Sequence, residues 1–209
     1  MPNYKTIAHG GEAEYEIQKS RFITHTAHVE TEAEAQDFIR QQKKTYFDAR
    51  HNCSAWVLGE TSNLQKSNDD GEPGGTAGNP ILDAIHKQSL TNIVLVVTRY
   101  FGGIKLGAGG LIRAYGHAAN LGLQASTIVA AIRFQRISAT IDYTLLGSVE
   151  NWLRQKEIRI EDSTYTDTVK LILLFEQDST AALLAELTDL TAGRCQTDDL
   201  GTTFLQIPV

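Results

Sequence analysis

Residues 97–115 constrain the fold of this chain most, because a strand, a glycine-rich loop and a helix follow one another there. The apolar run 93–97 predicts a buried strand. Five glycines then occupy the nine positions 102–110. So many glycines indicate a backbone that adopts left-handed angles or approaches another object closely. The amphipathic pattern after them predicts a helix whose first amides point back at the loop.

Cations and aromatic residues are interleaved with these glycines. A cation in the first turns of a helix is unfavourable unless an anion lies nearby, and Arg113 has such a position. We therefore expect an anion-binding surface, with the alternative that the arginines pair with local carboxylates in a tightly packed connection. The residues predicted for this surface are Arg99, Tyr100, Phe101, Gly102, Gly103, Lys105, Gly107, Gly109, Gly110 and Arg113.

Tyr100 and Phe101 are candidates for stacking on nucleic-acid bases. Adjacent strand residues point to opposite faces, so at most one of the two is expected to face a ligand. The other is expected in the core.

A second glycine-rich stretch is predicted as a long polar loop over residues 66–80, before a helix that starts near residue 81. If this helix and the one after residue 110 leave the same end of the sheet, their N-termini converge on one anion. The candidate residues of this second loop are Asp70, Gly71, Glu72, Gly74, Thr76 and Gly78.

Enzymatic chemistry has only weak candidates. Asp69, Asp70 and Glu72 are hard oxygen ligands of the kind that Mg²⁺ takes, but they are equally suited to pair with Arg99 or Arg113. His51 is a candidate base, and it shares a strand face with Cys53. No CxxC or HxxxH motif accompanies them, so a buried thiol beside a hydrogen-bonded imidazole is favoured. No catalytic residue, metal site or cofactor is therefore predicted.

Known phosphate-binding motifs do not match. The loop 102–110 lacks the Lys-Ser/Thr ending of a P-loop, and Ile112 stands where a dinucleotide fingerprint that starts at Gly107-x-Gly109 needs its final glycine. The sequence thus indicates neither a conventional NTPase nor an NAD enzyme.

Charge is distributed unevenly along the 209 residues, whose net charge is −6. Residues 1–130 contain 12 cationic and 13 acidic side chains, and residues 131–209 contain 7 and 12. Any contact with nucleic acid must therefore be local. No apolar run reaches the roughly 20 residues that cross a bilayer, and the N-terminus lacks a signal-peptide core. We expect a cytoplasmic protein without membrane contact.

Local patterns divide the chain into two parts. In the first, a hairpin turns around residues 19–20, and Thr31 with Glu34 forms a capping box that starts a helix. The remainder alternates as βαββαβ, the ferredoxin-like split unit. We place a domain of mixed α+β structure at residues 1–130 and a ferredoxin-like domain at residues 131–209.

Several motifs together resemble the YigZ/Impact family. They are Lys19-Ser20-Arg21-Phe22, His51-Asn52-Cys53, Asp70-Gly71-Glu72-Pro73, Thr76-Ala77-Gly78-x-Pro80, and the run from Val97 to Tyr115 that contains Arg99-Tyr100-Phe101-Gly102-Gly103 and Leu106-Gly107-x-Gly109-Gly110-Leu111-x-Arg113. The second part resembles the small C-terminal domain of the bacterial members. The resemblance implies a domain like the second domain of ribosomal protein S-five, followed by a ferredoxin-like domain.

This pairing resembles domains four and five of elongation factor G, which implies contact with RNA or the ribosome by analogy of fold. Eukaryotic relatives regulate translation through a protein that activates an initiation-factor kinase, but they lack the second domain. We expect a non-enzymatic module that binds RNA, the ribosome or a translation-related protein. The alternatives are a metal-assisted enzyme that acts on a phosphorylated small molecule or nucleotide, and a protein-interaction domain.

Overall fold

The computed structural model describes residues 3–209, which form two units. One contains the described residues up to Ala131 together with Gln206–Val209, and the other is Ile132–Leu205. Helices and strands are mixed in both, which confirms the α+β class. The assignment of separate domains to residues 1–130 and 131–209 remains a proposal.

The first unit is built on an antiparallel sheet of five strands in the order β2-β3-β6-β4-β5. A further strand, β1 (Tyr4–His9), pairs with Thr127–Ala131 at the start of β7. The strands of the sheet are β2 (Glu12–Ile17), β3 (Ser20–His28), β4 (His51–Leu58), β5 (Leu64–Asn68) and β6 (Ile93–Tyr100).

Central strand β6 is buried on both faces because helices cover both sides of the sheet. Helix α1 (Glu32–Thr45) packs on the face that carries Trp56 and Leu58. Helices α2 (Gly78–Lys87) and α3 (Gly107–Gln124) pack on the face of Cys53, Ala55 and Val57. Neighbouring side chains of β4 therefore lie on opposite faces of the sheet.

Two local signals read from the sequence are present in the structure. The hairpin of β2 and β3 exists, but it turns at Gln18 and Lys19, one residue before the predicted position; their φ values of 46° and 62° suit a two-residue turn. Thr31 accepts a hydrogen bond from the amide of Glu34, and the Glu34 carboxylate accepts one from the amide of Thr31. Both signals depend on neighbours within a few residues.

The predicted loop over residues 66–80 is wrong at both ends. Strand β5 continues to Asn68, and its five residues are mostly exposed, so no alternation of apolar residues marks it. Helix α2 already begins at Gly78. The loop is therefore residues 69–77.

The second unit has the predicted βαββαβ order and the strand order β10-β7-β9-β8. The core of this unit lies between one face of the sheet, which carries Ile137 and Leu173, and the two helices, which carry Trp152 and Leu187. The elements are β7 (Thr127–Ile141), α4 (Tyr143–Gln155), β8 (Arg159–Tyr165), β9 (Val169–Glu176), α5 (Thr180–Leu190) and β10 (Gln196–Pro208), with a short 3-10 helix at Gln177–Ser179.

Candidate functional site

A cleft of about 350 Å³ lies where α3 begins, and we call it the α3 cleft. Three permanent cations and one carboxylate line it, so positive charge is in excess. The charged and titratable residues of its lining are Arg50, His51, Glu72, Arg99 and Lys105. Arg50 and Lys105 are exposed, and neither forms a salt bridge within residues 3–209. Their charges are therefore available to a ligand.

The rest of the lining of the α3 cleft is apolar or backbone. Phe101 contributes a ring that is 48% exposed. Gly107, the first residue of α3, has φ 70°, and a methyl group added there would meet no atom within 4 Å. The apolar lining residues are Pro73, Phe101, Leu106, Ala108 and Leu111. The cleft thus combines an apolar wall with a cationic rim.

Arg99 is held by the protein itself. Only 5% of its surface is exposed, and its Nη1 donates to Glu72 Oε1 at 2.6 Å. Its Nη2 donates to Ser20 Oγ at 3.4 Å, while its Nε–H has no hydrogen-bond partner within the described residues. The Tyr115 hydroxyl donates to the same Glu72 oxygen at 2.8 Å. Arg99 therefore pairs with a local carboxylate, which was the alternative to its binding an external anion. It lines the cleft, but its charge is already used within the protein.

Helix α2 already has an anion at its N-terminus. The Asp69 carboxylate accepts hydrogen bonds from the amides of Gly75, Ala77 and Gly78 at 2.8, 3.0 and 2.8 Å. Burial by itself would raise the pKa of Asp69, but these amides outweigh burial and hold the pKa below its usual range. The predicted convergence of two helix N-termini on one external anion is therefore wrong for α2.

Helix α3 differs at its N-terminus, where residue Leu106 offers no side-chain hydrogen bond. No acidic residue lies in its first turn. This 18-residue helix presents the partial positive charge of its first amides to the α3 cleft, which Leu106, Gly107 and Ala108 line. Unlike the N-terminus of α2, it has no carboxylate hydrogen-bonded to its amides in the described part of the chain.

The carboxylates proposed as metal ligands are all engaged separately. Asp70 accepts from Lys43 Nζ at 2.5 Å and from the amide of Asn52 at 2.7 Å, and Glu72 is bound to Arg99. Within residues 3–209 no group of three or more His, Cys, Asp or Glu side chains could hold a metal ion. Asp70 and Glu72 therefore take part in separate structural contacts, and a shared metal site on them stays a prediction.

Cys53 and His51 do not form a nucleophile and base. Cys53 Sγ lies 3.0 Å from the Asp69 carbonyl oxygen and 3.3 Å from the Tyr115 hydroxyl, and burial raises the pKa of its thiol to about 12. Burial likewise raises the pKa of the Tyr115 phenol. His51 Nδ1 is 2.9 Å from the Asp70 carbonyl oxygen. These groups fix the loop 69–77 to the sheet.

The predicted glycines serve different purposes. A methyl group on Gly102 would lie 2.0 Å from the carbonyl carbon of Lys19, so Gly102 lets β6 approach the β2–β3 turn. At Gly78 a methyl group would lie 2.7 Å from the amide of Asn68. Gly103 and Gly71 have φ values of 84° and 86°. Packing and backbone conformation thus account for these four without a ligand.

Two other predicted glycines have no comparable restriction: a methyl group on Gly74 would have no neighbour within 4 Å, and one on Gly109 only Arg113 Nη1 at 3.8 Å. At Gly110 a methyl group would lie 3.1 Å from Leu106 Cβ, a tight contact with an atom that is attached to the backbone. Thr76, by contrast, is buried and donates to the Pro73 carbonyl oxygen at 2.7 Å.

The expectation that one of the two loop aromatics lies in the core is wrong. Tyr100 is half-buried and donates to Asp48 Oδ1 at 2.7 Å, while Phe101 faces the α3 cleft. Arg113 is also separated from the cleft: it lines a neighbouring depression with Tyr15, Gln18 and His117. The structure therefore brings Phe101, Lys105 and Gly107 together with Arg99, and leaves Tyr100 and Arg113 outside.

Sequence reasoning missed Arg50 and the role of Asp69. Arg50 precedes β4 and carries no motif of its own, although it is adjacent to His51. Asp69 lies eight and nine residues before two of the amides that it caps, a separation with no local signature. Only the fold of the loop 69–77 joins them.

The fold and the site together define a class: a two-unit α+β protein with a cationic cleft at a helix N-terminus. Residues 18–123 match the Impact N-terminal domain, and residues 140–194 match a domain of unknown function, DUF1949. The chain belongs to the IMPACT family, as the resemblance of its motifs suggested.

Relatives cover both parts of the chain. The IMPACT family member YvyE of Bacillus subtilis is 45% identical over 99% of this chain and 95% of its own. YigZ of Escherichia coli, another IMPACT family member, is 37% identical over 87% and 90%. A crystal structure described as that of a hypothetical protein superposes with a TM-score of 0.64, at 35% identity, and covers 94% of this chain and 97% of its own. Across residues 3–209, no helix has the length and apolar character needed to traverse a membrane.

Proposed function

We propose that this protein is a non-enzymatic cytoplasmic module of the translation machinery that docks on RNA, at the ribosome, through the α3 cleft. The observation that carries the proposal is the N-terminus of α3, without a side-chain cap from Leu106, beside Arg50 and Lys105, which form no salt bridge with a carboxylate among residues 3–209. Phosphate groups are the anions that such a terminus binds. With a net charge of −6, the chain offers RNA only a local site of this kind.

The site that we propose differs from the surface predicted by sequence. Arg50 and Lys105 supply the exposed charge, while Arg99 and Glu72 line the cleft as a buried ion pair. Arg113 lies outside the cleft. A regulatory role fits a cleft whose one lining carboxylate, Glu72, is engaged in a structural contact.

Removing the two exposed cations of the α3 cleft tests the proposal. We expect the double variant Arg50→Ala and Lys105→Ala to lose about tenfold in affinity for a labelled single-stranded RNA. The slope of log affinity against log salt should fall by about two, one for each lost phosphate contact. The measurement is fluorescence anisotropy at several salt concentrations.

A matched control removes the same charge elsewhere on the first unit. Lys44→Ala with Lys87→Ala changes two exposed lysines that do not line the cleft, and it should bind as the wild type does. If the cleft variant unfolds at the wild-type urea concentration and still binds RNA with unchanged affinity and salt slope, the proposal is wrong. A partner that is retained after RNase treatment, with no RNA bound, would also overturn it and favour a protein interaction.

A further inference from the structure

We propose that the α3 cleft receives one unstacked nucleotide of single-stranded RNA, with its base against Phe101 and its phosphate at the N-terminus of α3. This inference rests on the proposed function and specifies the form of RNA that the cleft accepts. It follows from the size of the cleft, from the exposed Phe101 ring beside Arg99 and from the donors at the start of α3.

The size of the cleft suits a single nucleotide. Its volume of about 350 Å³ is at the lower end of small-molecule sites. One wall is apolar, with Pro73, Leu106 and Leu111, and the rim is cationic. A base is flat and mostly apolar on its faces, and its phosphate is anionic, so both halves of a nucleotide find a matching surface. A base pair inside a duplex has no exposed face to present.

The Phe101 ring lies beside a buried cation. The guanidinium carbon of Arg99 is 5.6 Å from the centroid of the ring. Arg99 is itself held by hydrogen bonds to Glu72 and Ser20. Phe101 is 48% exposed and lines the cleft. An exposed aromatic ring is the platform on which proteins stack single-stranded bases.

Donors and exposed cations lie at the phosphate end. Leu106 gives the first amides of α3 no side-chain hydrogen bond, and the exposed Lys105 precedes them. Arg50, the other exposed cation of the lining, adds a second positive charge, so a phosphate placed here finds both helix amides and cations.

The test compares single-stranded and duplex RNA on the full chain. We expect Phe101→Ala to weaken binding of a single-stranded purine octamer about tenfold, because one stacked base is lost, with no change in salt slope. Phe101→Trp should restore binding, and base stacking should quench its indole fluorescence. Phe47→Ala is the matched control, since Phe47 is 83% exposed and does not line the cleft.

Wild-type protein should bind the octamer at least about tenfold more tightly than the same sequence in a blunt duplex, because only an unstacked base fits. If the Phe101 variants fold and bind like the wild type while the Arg50 and Lys105 variant is weakened, the nucleotide slot is wrong and the proposed docking on RNA stands. Equal affinity for the duplex also overturns the slot. If neither set of variants changes RNA binding, both proposals fail.

Discussion

The N-termini of α2 and α3 lie in the same unit, and both follow glycine-rich loops, yet they differ in charge. At α2, three amides are bound by the Asp69 carboxylate. At α3, no side chain caps the helix, and the first turn lacks an acidic residue. The N-terminus of α2 therefore has its anion within the protein, whereas the N-terminus of α3 faces a cleft.

This difference shows that a glycine-rich loop before a helix has no single meaning. The loop 69–77 uses its special backbone geometry to bring an internal carboxylate onto α2. The loop before α3 uses Gly102 for close packing and leaves the helix amides open. What distinguishes a structural terminus from a ligand-binding terminus is whether the chain supplies its own anion.

The contact between the two loops gives the prediction with the largest expected effect. Glu72 belongs to the loop 69–77 and Arg99 precedes the other loop, and both are buried. We expect Glu72→Ala to lower the free energy of unfolding by about 3–5 kcal/mol, because it leaves the Arg99 guanidinium buried without its partner. Urea denaturation followed by circular dichroism measures the loss.

Glu14 provides the matched control for this prediction, since it pairs with Arg21 at 2.6 Å on the exposed surface. Glu14→Ala should change the stability far less, because solvent screens that pair. Similar losses in the two variants would mean that burial adds nothing to the pair between the loops.

Asp69→Asn makes the N-terminus of α2 more like that of α3. We expect it to lower the free energy of unfolding by about 1–2 kcal/mol, the usual cost of losing a helix cap. The folded pKa of Asp69 lies below its ordinary value of 3.8, so its contribution is complete above that pH and disappears as pH falls through the folded pKa. The difference between wild type and variant should therefore shrink in acid.

Urea denaturation at pH 7 and at pH 3 or below, each on both proteins, measures the pH dependence of that difference. Asp83→Asn, on the exposed side of α2, is the control and should leave the free energy of unfolding nearly unchanged. A difference that grows on acidification would show that the charge of Asp69 does not stabilise the helix.

The smallest expected effect concerns Gly109, in the first turn of α3. Its φ is not in the left-handed region, and an added methyl group meets only the flexible end of Arg113, at 3.8 Å. We expect Gly109→Ala to stabilise the fold by about 0.5–1 kcal/mol, because alanine loses less backbone entropy in a helix. Thermal unfolding measures this gain.

Gly102→Ala is the opposite control, because its methyl group would collide with the backbone of Lys19 and should destabilise the fold. A loss of stability in the Gly109 variant would show that α3 needs glycine at this position for its own packing, and the open terminus would then be less distinct from that of α2.

The amino-acid sequence by itself determined the elements that depend on short separations. The capping box of Thr31 and Glu34 and the βαββαβ order of the second unit were both predicted and are confirmed. Strand β5 escaped prediction because an exposed edge strand carries no apolar alternation. Such signals arise from backbone geometry repeated every two or every three to four residues, so neighbours suffice to reveal them.

Only the tertiary structure decided which charges remain free. Arg99 and Glu72 are 27 residues apart, and nothing local says that they pair while Arg50 and Lys105 stay exposed. The same holds for Asp69, which reaches α2 across its loop, and for Arg113, which points to a different depression. Electrostatic partners are set by distances in the folded chain, where a buried pair must be matched atom by atom, and the spacing of residues along the sequence does not fix those distances.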